Sequence, residues 1–164
     1  MGKGEDPAFA RLFEAEYPGL VNEVRLVLGD REAAEDAVQE AFTLLLRHWG
    51  KVSAYDRPGA WVRRVAIRHA LRAGRRRALA ERLLPRLDPP QAPAGAADPD
   101  LETALRGLPR MQRAVVVLHY LDDLSCDEVA GQLGCRPATV RVNLHRARQK
   151  LALVLGEEAD RVAG

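Results

Sequence analysis

The sequence predicts an all-α fold: two small helical domains joined by a Pro- and Ala-rich linker, the second of them a helix-turn-helix domain. Three observations lead there. Phe, Tyr and Trp make up only 5% of the 164 residues, whereas 47% are apolar, chiefly Leu, Val and Ala, a mix that suits helices. Apolar residues recur at three- and four-residue spacing, without the clear alternation that marks strands. The stretch PRLDPPQAPAGAADPD then holds five prolines in sixteen residues and has no periodicity. It divides the chain into residues 1–84 and 100–164, with 85–99 as a flexible linker. Extended at about 3.1 Å per residue, such a segment spans about 50 Å.

The formal net charge of +2 says little, but its distribution says more. Residues 30–40 carry five acids against one Arg, and residues 63–77 carry seven Arg and no acid. No apolar run is long enough to cross a bilayer and no secretory leader opens the chain, so a cytoplasmic protein without membrane insertion is expected. Cys126 and Cys135 form no CxxC motif, and Cys135 is expected at an apolar core position. A zinc site built from His119, Cys126, Cys135 and His145 matches no structural zinc spacing. No metal, cofactor or catalytic residue is expected.

Taken in order, Pro7 after Asp6 opens a first amphipathic helix with Phe9, Ala10, Leu12 and Phe13, expected to end near Tyr17 because Pro18 interrupts it. A second helix then uses Leu20, Val24, Val27 and Leu28 up to Gly29. Asp30 caps the next, which runs to Trp49 and gathers Val38, Ala41, Phe42, Leu45 and Trp49 on one face. At about 100° per residue its other side holds Glu32, Asp36, Gln39, Glu40, Thr43 and Arg47. On physical grounds alone this acidic ridge is a solvated face, with acids near the positive end of the helix dipole. Residues 50–59 form a loop. The following helix has an apolar strip of Trp61, Val65, Ala66 and Leu71 and is weakened at Gly74. Around it lie Arg63, Arg64, Arg68, Arg72, Arg75, Arg76 and Arg77 with His69. Seven cations without a nearby acid repel one another, which points to nucleic acid as the counter-charge.

After the linker, Leu101, Leu105 and Leu108 mark a short helix before Pro109. Val115, Leu118, Tyr120 and Leu121 mark a buried support helix that begins near Gln112 and Arg113, and Asp122 and Asp123 make the next turn. In residues 125–151, SCDEVAGQLGCRPATVRVNLHRARQKL, Ser125 and Glu128 form a capping box and Val129, Ala130 and Leu133 supply a buried side. Gly134 ends that helix and Pro137 opens another. On the second helix Val140, Leu144, Ala147 and Leu151 face the first, leaving Ala138, Arg141, Val142, His145, Arg146 and Gln149 outside. A basic outer face on the second helix of such a pair suits entry into a major groove.

The acidic helix DREAAEDAVQEAF, then Trp61 with its arginine-rich helix, then the helix-turn-helix ending TVRVNLHRARQKL together resemble a bacterial RNA polymerase sigma factor of the extracytoplasmic-function group, with actinobacterial-like wording in RPGAWVRRV. The resemblance covers residues 7–77 and 101–155. It implies core RNA polymerase and promoter DNA as partners and allows for an anti-sigma factor. By its terms Glu32, Asp36, Gln39 and Glu40 become contacts to core polymerase. Arg63, Arg64, Arg68, Arg72, Arg75 and Arg76 would hold the minus-ten element, with Tyr55 in the preceding loop near a base. Arg136, Thr139, Arg141, Val142, His145 and Arg146 would meet the minus-thirty-five element. The chain departs from the family's usual residues at Arg68, Arg136, Val142 and Asn143, so its promoter sequence does not carry over. Two other readings stand beside this one. One is a free-standing helix-turn-helix regulator. The other is a metal-dependent nuclease built on Glu32, Asp36 and Glu40, although no Asp or His pair completes a two-metal site.

Overall fold

The computed structural model describes Gly2, residues 5–83 and residues 99–163. Among them are seven α-helices and no strand. The chain divides into two compact units, Met1–Ala92 and Pro93–Gly164. Of the expected linker, only Pro99 lies among the described residues, where it opens a helix.

The first unit packs α1 (Pro7–Leu28), α2 (Arg31–Val52) and α3 (Pro58–Leu83) against one another. Asp6 caps α1 by accepting from the Ala8 N–H at 2.9 Å, and it also accepts from the Trp49 indole N–H at 2.7 Å. Contrary to the expected break, α1 runs straight through Pro18. Pro18 is exposed, so the carbonyl that its ring deprives of a donor lies on the solvent side. The residues before and after it pack on shared neighbours. Phe9, Phe13 and Tyr17 ring Phe42 at centroid distances of 6.5, 4.9 and 6.0 Å, and Leu20, Val24 and Val27 are buried. That continuous apolar contact outweighs the local penalty. Gly29 ends the helix in the left-handed region at φ 73°, where it donates to Arg25 O.

Helix α2 buries Val38, Ala41, Phe42, Leu45 and Trp49, as its spacing requires, and adds Ala34 and Ala37. It extends past Trp49 because Val52 is itself buried and anchors a further turn. The connecting loop is therefore shorter than expected. In α3 the buried strip is Val62, Ala66, Ile67, Ala70 and Leu71, with Trp61 and Val65 only half-buried. The helix continues through a buried Gly74 instead of weakening there.

The second unit contains α4 (Pro99–Arg106), α5 (Arg110–Val116) running into a π-helical turn (Val117–Leu121), α6 (Cys126–Leu133) and α7 (Pro137–Ala163). Helices α4, α5 and α6 all pack on α7. Tyr120 and Leu121 were expected in the core, but each is 49% exposed. The wider turn, with i→i+5 bonding, explains the difference. Ala114, Val115, Val116, Val117 and Leu118 are buried in succession, and the residues after them fall out of α-helical phase. Asp123 then takes a left-handed conformation at φ 52°, and His119 Nδ1 lies 2.7 Å from Leu124 O. Cys126 and Cys135 are free and half-buried, so Cys135 lies at the edge of the core and not within it.

Candidate functional site

Three surfaces hold the residues singled out by sequence. On α2, Glu32, Asp36, Gln39 and Glu40 are all exposed, because the opposite face is committed to the core. Asp30 fixes the start of this helix by accepting from the Ala33 N–H at 3.3 Å and from Arg77 Nη1 at 2.6 Å. Burial acts to raise the Asp30 pKa, but the Arg77 hydrogen bond, the Ala33 N–H and the Arg77 charge hold the carboxyl below its ordinary range. Beside the ridge Gln39 Nε2 lies 3.5 Å from the Tyr17 hydroxyl, and Tyr17 stacks on Phe13 with centroids 4.8 Å apart. Phe13 is 37% exposed. Sequence reasoning lists Phe13 only among the apolar residues of an amphipathic helix, although the i, i+4 aromatic pair is the available signal for a shared surface.

On α3 the arginines divide into two groups. At about 100° per residue, Arg64, Arg68, Arg72 and Arg75 fall within roughly 80° of one another, while Arg63 and Arg77 point well away. Both outliers have acids beside them. Arg63 lies 3.2 Å from Glu23 and 3.8 Å from Glu16, both on α1, and its side chain is only 22% exposed. Arg77 pairs with Asp30. The expectation of seven arginines without an acid nearby is therefore corrected. The acids come from α1 and the α2 cap, close in space though distant in sequence. Arg64, Arg72, Arg75 and Arg76 remain exposed and Arg68 is half-buried. Tyr55 stands 41% exposed in the loop before α3.

In the second unit the capping box forms as read: Ser125 Oγ accepts from the Glu128 N–H at 3.1 Å, and the Ser125 N–H donates to Glu128 Oε2 at 2.8 Å. Gly134 closes α6 at φ 69°, which only a left-handed residue supplies cheaply. Val140, Leu144 and Ala147 are buried, while Arg136, Thr139, Arg141, Val142, His145 and Arg146 are exposed. Arg141 Nη2 lies 3.8 Å from Asp127 on α6, with 61% and 78% of the two side chains exposed. Such a pair contributes about 0–1 kcal/mol, little enough for Arg141 to leave it for another anion. Asn143 is half-buried, its amide donating to Thr139 O one turn back on the same helix at 2.9 Å. Among the described residues no three His, Cys, Asp or Glu side chains group as a metal site, and no helix is long and apolar enough to cross a membrane.

The family models for sigma-70 region 2 and sigma-70 region 4 match residues 12–80 and 99–151. The ECF RNA polymerase sigma factor SigM of Mycobacterium tuberculosis is 34% identical over 161 residues, covering 93% of this chain and 80% of that protein. The chain belongs to the ECF RNA polymerase sigma factors. This alternative sigma factor is also 29% identical over 154 residues to the RNA polymerase sigma-E factor of Streptomyces coelicolor, covering 90% and 86% of the two chains. It is 33% identical over 150 residues to the ECF RNA polymerase sigma factor SigE of Mycolicibacterium smegmatis, where the match spans 82% of this chain but 56% of the relative. The sigma factor RpoE of Bartonella quintana, solved with the anti-sigma factor NepR, shares the fold at a TM-score of 0.69 and 23% identity, covering 91% of this chain and 97% of that one. The region 2 match contains both the acidic ridge and the arginine stripe, and the region 4 match contains the helix-turn-helix.

Proposed function

We propose that this sigma factor grips core RNA polymerase with the exposed ridge Glu32, Asp36, Gln39 and Glu40, extended by Phe13 and Tyr17. The stripe of Arg64, Arg68, Arg72, Arg75 and Arg76 then holds the minus-ten element, while Arg136, Thr139, Arg141, Val142, His145 and Arg146 meet the minus-thirty-five element. Residues 1–84 and 100–164 act as separate modules in the cytoplasm, with 85–99 as the connection between them. The arginines contribute affinity through phosphates, and α7 contributes discrimination at base edges. Arg141 is suited to guanine, and Val142, 47% exposed, to a thymine methyl. Arg63 is left out of the phosphate contacts because α1 already supplies its counter-charges. The protein contributes recognition, and the chemistry of RNA synthesis stays with the polymerase.

The observation that carries this reading is the coexistence of an acidic ridge on α2 and a basic stripe on α3 within one three-helix unit. A free-standing regulator has no use for the ridge. An anti-sigma factor is a further proposed partner, since the RpoE structure of the same fold was solved with one. Run-off transcription with core polymerase on a library of upstream regions tests the whole scheme. Transcripts from a defined subset of templates, dependent on the chain, are expected. Tight unaided binding to a duplex operator without any transcript would favour the regulator instead.

A further inference from the structure

Helix α3 runs on past the body of its unit. Gly74 is its last buried residue among those described, and from Arg75 to Leu83 every described side chain is exposed, Leu79 at 62% and Leu83 at 81%. About 13 Å of helix follows Gly74, tied back by the Arg77–Asp30 pair. Residues three and four apart on a helix are neighbours, so Leu79 is ringed by Arg75, Arg76, Arg82 and Leu83. Arg82 lies beyond the arginine run of residues 63–77 and is exposed like its neighbours. No ion pair is found for Arg75, Arg76 or Arg82 among the described residues. Cations that repel one another around an exposed leucine call for an anionic surface with an apolar strip in it.

The order of the residues around α3 says which surface. With about 100° per residue and Arg64 as the origin, Arg68 falls at about 40°, so the head of the stripe is a single row. Farther on, Arg75 and Arg82 fall at about 20° and about 0°, and Arg72 and Arg76 at about 80° and about 120°, with Leu79 at about 60° between the two sets. The stripe thus opens from one row of cations into two. A single row matches one phosphate backbone. Two rows with an apolar side chain between them match the two backbones of a duplex, whose groove offers sugars and thymine methyls. A major groove about 12 Å wide admits a helix in this way. A polypeptide would need acids on both sides of one small apolar contact. Direction agrees, because the chain leaves α3 at this end toward the unit assigned to the minus-thirty-five element, and upstream of the melted segment the promoter is paired.

We propose that the end of α3, through Arg76, Leu79, Arg82 and Leu83, grips double-stranded DNA immediately upstream of the minus-ten element, with Leu79 facing the groove. From Arg76 to Arg82 this adds about 9 Å, roughly two to three base-pair steps, to the contact. The inference rests on the assignment of the arginine stripe to the minus-ten element. The test uses holoenzyme made from the full chain and core polymerase, on a promoter that run-off transcription returns. Binding is compared on the single-stranded minus-ten element and on the same strand carrying a short upstream duplex arm, cut before the minus-thirty-five element. Arg82→Ala should lower the slope of log affinity against log salt by about 0.9 on the armed DNA and leave it unchanged on the single strand. Leu79→Gln should weaken binding to the armed DNA and not to the single strand. Arg64→Ala, at the head of the stripe, should lower the slope on the single strand by about 0.7. An Arg64→Ala effect with none from Arg82→Ala on the armed DNA would overturn the duplex contact and leave the stripe standing, whereas no effect from either would overturn both. An Arg82→Ala loss of equal size on both DNAs would place the contact on the melted strand, against the proposal. So would armed-DNA binding unchanged by Arg82→Ala while capture of core polymerase weakens, which would give the surface to a protein.

Discussion

Replacing Arg63 by Ala separates two roles that a sequence cannot distinguish. If Arg63 contacted phosphate, its loss would remove one counterion-release event, lowering the slope of log affinity against log salt by about 0.7 on single-stranded and 0.9 on duplex DNA. Its position predicts otherwise. The guanidinium sits 3.2 Å from Glu23 and 3.8 Å from Glu16, with only 14% of the Glu23 side chain exposed. Removing Arg63 leaves a largely buried carboxylate without that partner, a cost of roughly 1–3 kcal/mol. For a helical unit of this size each kcal/mol lowers Tm by about 4–8 °C. Thermal melting by circular dichroism should therefore show a clear loss for Arg63→Ala with an unchanged salt slope. Arg75→Ala should behave in the opposite way, with stability held within about 0.5 kcal/mol, as for an ordinary surface substitution. A second change, Glu23→Ala on the Arg63→Ala background, should restore part of the stability because the carboxylate that Arg63 faced is gone too. An Arg63→Ala variant with full stability and a reduced salt slope would refute the reasoning.

Reversing charge at Asp36 and Glu40 should weaken capture of core polymerase in a pull-down while leaving the melting curve intact, since both side chains are exposed. Arg141→Ala should reduce discrimination between promoters by about 1–3 kcal/mol in competition binding if it reads a base, whereas a uniform loss on all sequences would mark a phosphate contact. Ser125→Ala removes one arm of the capping box and should cost about 1 kcal/mol by denaturant unfolding. The Asp6 and Asp30 carboxyls both sit below their ordinary range, Asp6 chiefly through the Trp49 indole N–H. The stability they contribute should be complete above about pH 4 and lost as pH falls through their folded-state values. Melts between pH 7 and pH 3 should show a shallower decline for Asp30→Asn.

Much of the fold was legible because it depends on local periods. The α2 core face, the capping box at Ser125 and the outward face of α7 all follow from 3.6-residue spacing and terminal chemistry. What sequence reasoning missed depends on partners far along the chain. The persistence of α1 through Pro18 requires knowing that Phe42 packs against residues just before it while Leu20 and Val24 beyond it are buried. The pairing of Arg63 requires α1 to return Glu16 and Glu23 to it. The exposure of Tyr120 follows from a π-helical turn, whose i→i+5 bonding interrupts the period that sequence patterns assume. There Tyr120 meets Arg148 instead, whose guanidinium carbon lies 5.6 Å from its ring centroid. The candidate surfaces were legible as exposed faces.

Asp30 carries a consequence of another kind. One of its carboxylate oxygens accepts from the α2 backbone at Ala33 and the other from Arg77 on α3. The ridge and the stripe therefore share a fastening. Neither helix can roll about its own axis without loosening the same side chain, so a clamp one residue wide supplements the buried packing between them. An Asn there would keep the cap and lose the clamp.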